Sequence, residues 1–124
     1  MPDTLPGRMG ITITEASPER VVGTMPVAGN TQLLGLLHGG ASCVLAETLG
    51  SVGATLHAQR LFGGQALGVD INATHHKAVR DGTVTGVATA LRLGRSVVSY
   101  DIVITDDSGG RVCTARLTCL LRGA

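Results

Sequence analysis

The fold is decided by the stretch Ala41-Ser42-Cys43-Val44-Leu45-Ala46-Glu47-Thr48-Leu49-Gly50-Ser51-Val52-Gly53-Ala54. It belongs to a longer run, from residue 39 to about 59, of mainly helix-forming residues without proline, and this run predicts one long helix. Because the helix is apolar on nearly every side, we expect it to be buried at the centre of the molecule. Glu47 is the only formal charge between Arg20 and Arg60. A carboxylate in such a setting must be paired, hydrogen-bonded or used in chemistry.

Residues on both sides of this helix show the alternation that is typical of strands. Two strands are predicted before the helix, at 11–15 and 20–27, and four after it, at 67–74, 83–91, 96–105 and 112–121. In the first of the later strands, one face is expected to carry Leu67, Val69, Ile71 and Ala73. Because the loops between these strands are short, successive strands are expected to be antiparallel neighbours. This order predicts an α+β fold in which one antiparallel sheet wraps around one long central helix.

Length and composition restrict the class of protein. A chain of 124 residues fits one domain, so residues 1–124 are expected to form a single one. The apolar fraction of 44% with only 15% charged residues argues against disorder, and the positive mean hydropathy favours self-association. The chain has no Trp, one Tyr, one Phe and a net charge of +1, so nucleic acid is not expected as a partner.

The sequence also indicates the cellular compartment in which the protein is expected. The first residues lack the basic and apolar regions of a signal peptide, and no run is long and apolar enough to span a membrane. The three cysteines are an odd number without metal-type spacing, which favours a reducing compartment. We therefore expect a cytoplasmic protein without a membrane partner.

A candidate site begins at the N-terminus of the predicted helix. If the helix starts at about Gly39, the N–H groups of Gly39, Gly40 and Ala41 lack intrahelical acceptors, and the helix dipole adds positive charge there. Such an end suits a carbonyl oxygen that becomes negative during a reaction. Glu47 lies about two turns further along, and Ser51 follows on the same face. The carboxylate and the hydroxyl could therefore share one water molecule.

Two motifs resemble a known family. The run Leu36-Leu37-His38-Gly39-Gly40-Ala41-Ser42, preceded by Gln32 and followed by Leu45-Ala46-Glu47, closely resembles the hotdog-fold acyl-CoA thioesterases. The nearest group is the bacterial 4-hydroxybenzoyl-CoA and 1,4-dihydroxy-2-naphthoyl-CoA thioesterases. The resemblance covers roughly residues 20 to 121 and includes Ile71-Asn72-Ala73-Thr74-His75 and Ala115-Arg116-Leu117-Thr118.

The resemblance implies a hotdog fold and the hydrolysis of an acyl-CoA, aromatic or of medium size, without cofactor or metal. It also implies a homodimer, usually paired into a homotetramer, in which each active site is shared across a subunit interface. Glu47 would be the catalytic carboxylate, either as nucleophile or as general base, and the Gly39 N–H would polarise the thioester carbonyl. Gln32 and His38 would shape the site, and Ser51 would position a water molecule.

Contacts to coenzyme A are implied for three segments. These are Gly68, the run His75-His76-Lys77-Ala78, and the segment from Arg92 to Val97 with Arg92, Gly94, Arg95 and Ser96. The segments keep the cationic character that phosphate binding needs.

The residues alone leave alternatives open. Glu47 could be a structural carboxylate paired with an arginine, and His38 could be a structural hydrogen-bonding group. The adjacent His75 and His76 would point to opposite faces of a strand, which argues against a metal site. The apolar helix should raise the pKa of the Cys43 thiol, which argues against a cysteine nucleophile. The alternative functions are a protein that binds acyl-CoA without cleaving it and a thioesterase for acyl groups on a carrier protein.

Overall fold

The computed structural model describes residues 1–123 as two helices and six strands. In chain order these are α1 (Leu5–Arg8), β1 (Thr12–Ala16), β2 (Arg20–Pro26), α2 (Gly39–Phe62), β3 (Gln65–His75), β4 (Thr83–Leu93), β5 (Val97–Thr105) and β6 (Arg111–Arg122). The predicted long helix and all six predicted strands are confirmed to within a few residues. The short α1 was not predicted, although its capping signal is in the sequence: the Thr4 side chain accepts a hydrogen bond from the Gly7 N–H.

All strands form one antiparallel sheet in the order β1-β2-β4-β5-β6-β3, and α2 packs on one face of it. The expectation that short loops join neighbouring strands is wrong for β3 and β4. The segment between them passes the start of α2, where the Leu37 N–H donates to the Val79 carbonyl. Since β2 and β5 already occupy both edges of β4, β3 pairs with β6 instead and becomes an edge strand.

The core lies between α2 and the inner face of the sheet. It contains apolar residues that alternate along β5 and β6, namely Val98, Tyr100, Ile102, Ile104, Cys113, Ala115, Leu117 and Cys119. Two helix glycines permit this close packing, because a Cβ at Gly50 would lie 2.6 Å from Leu117 and one at Gly53 would lie 2.7 Å from the Tyr100 hydroxyl. Residues that weaken the helix in isolation therefore let it approach the sheet.

A β-bulge changes the faces of β3. The pairing with β6 shifts register between Gly68 and Asp70, so Val69 is an additional residue that has no partner. Ile71 and Ala73 pack against the core as predicted, whereas Leu67 and Val69 are about half exposed. The prediction that these four residues lie on one face of the strand is therefore wrong for the first two.

α2 is buried on one side only. Its buried residues repeat at helical spacing and face the sheet, from Ala41 to Ala58, whereas Glu47 on the opposite side is exposed. The expectation of a helix buried all round is thus wrong for the single chain, because the sheet covers only one of its faces. The helix ends at Gly63, which adopts a left-handed conformation with φ of 68°. Within the described part of the chain, neither helix is long and apolar enough to cross a membrane.

Candidate active site

The N-terminus of α2 offers one free backbone donor. Gly39 is the first helical residue, and His38 caps the helix because its Nδ1 accepts a hydrogen bond of 2.8 Å from the Gly40 N–H. The Ala41 N–H donates to the His38 carbonyl at 2.9 Å. Among residues 1–123 no acceptor binds the Gly39 N–H. Of the three N–H groups that were predicted to lack an acceptor within the helix, those of Gly40 and Ala41 are thus bound by the N-cap residue His38, and only that of Gly39 is left free.

A cavity of about 370 Å³, the donor cavity, opens beside this N–H group. It is lined by Gln32, Leu36, Leu37, Gly39, Ser42, His75, His76, Lys77, Ala78 and Val112. Gln32 braces the wall of the cavity, since its Oε1 accepts from the backbone N–H groups of Leu34 and Leu36. The His75 ring packs on Gly39 so closely that a Cβ at Gly39 would lie 2.9 Å from His75 Nε2. The donor cavity therefore brings Gln32, Gly39 and the His75–Ala78 segment together.

A second cavity of about 660 Å³, the carboxylate groove, runs between α1 and the open side of α2. Its lining is mostly apolar and contains Leu5, Pro6, Val44, Glu47, Thr48, Ser51, Val52, Thr55, Leu56 and Gln59. Glu47 forms no ion pair with any residue from 1 to 123 and is exposed, so the single chain contains neither the expected burial of this carboxylate nor the arginine partner of the structural alternative. Its Oε2 lies beside β3, where a Cβ at Gly68 would be only 2.9 Å away.

Ser51 lines the same groove as Glu47, one helical turn further on, as its spacing predicted. The two side chains are thus placed on one face, where a water molecule between them could contact both. By contrast, Glu47 stands eight residues after Gly39 in the sequence, or about 12 Å along the helix axis. One chain therefore does not bring the carboxylate to the free N–H group.

The segments predicted to contact coenzyme A lie at three places. The segment from His75 to Ala78 lines the donor cavity, and Gly68 lies beside the Glu47 carboxylate. Arg92 lies at the end of β4, and Gly94, Arg95 and Ser96 form the connection between β4 and β5, where the Gly94 carbonyl lies beside His57 of α2. His57 and Gly39 are about 27 Å apart along the helix axis. The donor cavity and the β4–β5 connection therefore lie towards opposite ends of α2.

The positively charged side chains of these segments differ in whether an acidic residue pairs with them. Lys77 donates to Asp106 at 2.5 Å, and this contact holds the pKa of the Asp106 carboxyl far below its ordinary value. Arg92 and Arg95 are exposed and form no ion pair with the other described residues. Among the cations of the three segments, Arg92 and Arg95 are therefore the ones free to bind an anion.

The cysteines and histidines do not provide a second reactive centre. Burial and the charge of Glu47 raise the pKa of the Cys43 thiol, as predicted, and burial raises the pKa of the Cys113 thiol to about 11. From residue 1 to residue 123 no three His, Cys, Asp or Glu side chains are grouped so that they could hold a metal ion. Ser42 was missed as a site residue. Its spacing of three from Gly39 could have placed it, and the structure shows it buried in the wall of the donor cavity.

One antiparallel sheet wrapped around one long helix is the hotdog fold, and the protein is a thioester hydrolase of that fold. Residues 34–113 match the family model of the thioesterase superfamily. The chain belongs to this superfamily, and both the predicted fold and the predicted thioesterase activity are confirmed.

Individual relatives agree with this assignment. The chain is 45% identical over 121 residues to the proofreading thioesterase EntH of Cronobacter turicensis, covering 97% of this chain and 87% of that protein. A thioesterase structure from Haemophilus influenzae superposes with a TM-score of 0.90 at 36% identity, covering 98% of this chain and 84% of that one. An alanine variant of a Staphylococcus aureus thioesterase superposes equally well, with a TM-score of 0.90 at 31% identity over 95% of this chain and 98% of that one.

Proposed function

We propose that this thioesterase hydrolyses an aromatic or medium-size acyl-CoA, in an oligomer whose active sites each combine the donor cavity of one subunit with the carboxylate groove of another. One observation carries the proposal: each cavity holds half of the chemistry. The donor cavity has a free N–H group, Gly39, and the groove has an unpaired carboxylate, Glu47. They are separated by about 12 Å within a chain, so a second copy is needed to bring them together.

The exposed surfaces support such an oligomer. β3 is an edge strand of 11 residues whose outer backbone groups are unpaired within residues 1–123, and a long exposed edge is a template for pairing with another chain. The open side of α2 carries the apolar groove immediately beside this strand. We propose a homodimer, or a dimer of such dimers, as the active form.

In the proposed reaction, the Gly39 N–H binds the carbonyl oxygen of the thioester, where negative charge develops. Glu47 acts by one of two routes. As a nucleophile it forms a bond to the carbonyl carbon while the carbon–sulfur bond breaks, and water then cleaves the resulting anhydride. As a general base it takes a proton from water, whose oxygen attacks the same carbon, and the proton finally passes to the departing thiolate.

The remaining residues have supporting roles in this proposal. Ser51 positions the water molecule beside Glu47, while Gln32 and His38 fix the segment that leads to Gly39. Because His38 Nδ1 is used as the helix cap, this histidine orients the site and is not its base. The apolar lining of the groove would hold the acyl group, and its volume suits an aromatic or medium-size one.

Coenzyme A is proposed as the thiol component because Arg92 and Arg95 are free to bind its phosphates. A location in the cytoplasm and a reaction without cofactor or metal complete the proposal. They rest on composition, on the free cysteines and on the resemblance to the family.

A thioester panel with a thiol-release readout tests the substrate. Each acyl group is offered on coenzyme A and on a carrier protein, and aromatic and medium-chain CoA esters should give the highest kcat/KM. Higher kcat/KM for the carrier-bound esters would favour the alternative thioesterase, and binding of acyl-CoA without thiol release would favour the binding protein.

Mixed oligomers test the shared site. Glu47→Gln damages only the groove and Gly39→Pro only the donor cavity, so an equimolar mixture that exchanges subunits should regain about one quarter of wild-type activity. Half of the dimers are then mixed, and each mixed dimer has one intact site. Glu47→Gln mixed with Ser51→Ala is the matched control, since both changes lie in the groove and no intact site can form. No recovery in the first mixture, or a fully active monomer by light scattering, would refute the shared site.

A further inference from the structure

His57 is a buried histidine that the proposed reaction does not use. It lies near the end of α2, is only 4% exposed, and uses both ring nitrogens. Nε2 is 2.8 Å from the Gly94 carbonyl oxygen, and Nδ1 is 3.0 Å from an Arg60 guanidinium nitrogen. Arginine has only donors, so Nδ1 must accept and Nε2 must carry the proton that binds the Gly94 carbonyl.

This bond continues a chain of contacts across three elements, which we call the His57 bridge. Arg60 also donates to Glu19 Oε2 at 3.0 Å, and this contact lowers the pKa of the Glu19 carboxyl. The His57 bridge therefore runs from the β1–β2 turn through α2 to the β4–β5 connection. Its members are Glu19, Arg60, His57 and Gly94.

The Gly94 carbonyl belongs to the peptide group that joins Gly94 to Arg95. A hydrogen bond to it fixes the orientation of that peptide plane, and so the direction in which Arg95 leaves the backbone. The connection is otherwise tight, because the Gly94 N–H donates to the Val97 carbonyl at 3.2 Å and a Cβ at Gly94 would lie 2.5 Å from the same oxygen. Arg92 stands just before this turn, next to a register shift in the β4–β5 pairing.

We propose that His57 is a positioning residue, which holds the β4–β5 connection so that Arg92 and Arg95 meet the nucleotide phosphates of the substrate. This inference rests on the proposed function, since it assumes that coenzyme A is the thiol component. His57 itself touches neither the thioester nor the carboxylate. Its effect is therefore confined to substrates that carry the nucleotide.

Two amide substitutions of His57 distinguish its hydrogen bond to the Gly94 carbonyl from its hydrogen bond with Arg60. In His57→Gln the amide reaches the position of Nε2 and can still donate to Gly94, whereas in His57→Asn it reaches only the position of Nδ1 and can still accept from Arg60. Both variants bury one amide of similar polarity, so they are matched for a purely structural effect. Thermal unfolding followed by circular dichroism confirms that both are folded before they are compared.

The assay measures kcat/KM for benzoyl-CoA and for the benzoyl thioester of N-acetylcysteamine, which has the same reacting bond and no nucleotide. The ratio of the two values should fall about fivefold to tenfold in His57→Asn, through KM for benzoyl-CoA, and stay near the wild-type value in His57→Gln. An unchanged ratio in His57→Asn, or an equal fall in both variants, would overturn the positioning role while leaving the proposed function intact. A wild-type enzyme that prefers the ester without nucleotide would overturn both.

Discussion

Replacing Gly39 by proline removes the one free backbone donor at the start of α2. Proline is well tolerated at the first position of a helix, because its fixed φ suits the helix and its missing N–H would have no helical partner. The preceding residue must be extended, and His38 already is, with φ of −68° and ψ of 130°. Gly39→Ala is the matched control, since it adds the same Cβ against the His75 ring but keeps the N–H group.

The expected fall in kcat follows from the number of N–H groups that are free to bind the carbonyl oxygen. Because His38 occupies the Gly40 N–H, Gly39 is the only free N–H group of the first turn, and no neighbour there can replace it. Loss of one donor to an oxyanion costs about 100-fold to 1,000-fold in kcat, so Gly39→Pro should lose that factor relative to Gly39→Ala. Thiol release at saturating substrate gives kcat, and circular dichroism checks the fold. If Gly39→Pro turns over within about threefold of Gly39→Ala, the Gly39 N–H does not hold the carbonyl oxygen.

The other predictions concern charge and protonation. Glu47→Gln should lower kcat by about 100-fold to 10,000-fold while substrate still binds. Because no residue from 1 to 123 forms an ion pair with Glu47, the same change should break no ion pair within the chain, and the variant should fold and assemble like the wild type by circular dichroism and light scattering; loss of folding or assembly would instead show a structural carboxylate. Arg92→Ala and Arg95→Ala should raise KM for acyl-CoA with little change in kcat, and an unchanged KM in both would exclude them from phosphate binding. Burial and the raised pKa of about 11 should both protect the Cys113 thiol, so peptide mapping after iodoacetamide treatment of the folded protein at pH 8 should find Cys113 unmodified, and rapid modification of Cys113 would contradict its burial.

The sequence predicted most of the fold because its strands have one solvated face and one buried face. In β5 and β6 every second residue is apolar, and those residues are the ones that the structure buries. Alternation cannot reveal a bulge, however, and the extra residue Val69 moved Leu67 and Val69 out of the core. The length of a loop likewise does not determine which strand lies at the edge of the sheet, so the pairing of β3 with β6 was not predicted.

The site was only partly predictable, for a different physical reason. The spacing of Glu47 and Ser51 predicted that they share one face of α2, and the motif predicted that Gln32 lies near Gly39. Both predictions depend only on α2 and on the short segment that precedes it. The prediction that Glu47 is buried within the chain was wrong. An apolar helix face has the same sequence pattern whether the sheet of its own chain or another copy of the protein covers it. The cap formed by His38 depends on one rotamer, which composition and spacing do not determine.

The separation of Gly39 from Glu47 has a consequence for how the enzyme becomes active in time. On the proposed function, a newly synthesised chain folds with both halves of its chemistry in place but out of reach of each other. Hydrolysis then begins only after two finished chains meet, and at concentrations below the dissociation constant of the dimer its rate grows with the square of the amount of protein. A scarce thioesterase of this design leaves the cell's activated acyl groups untouched until enough copies have accumulated.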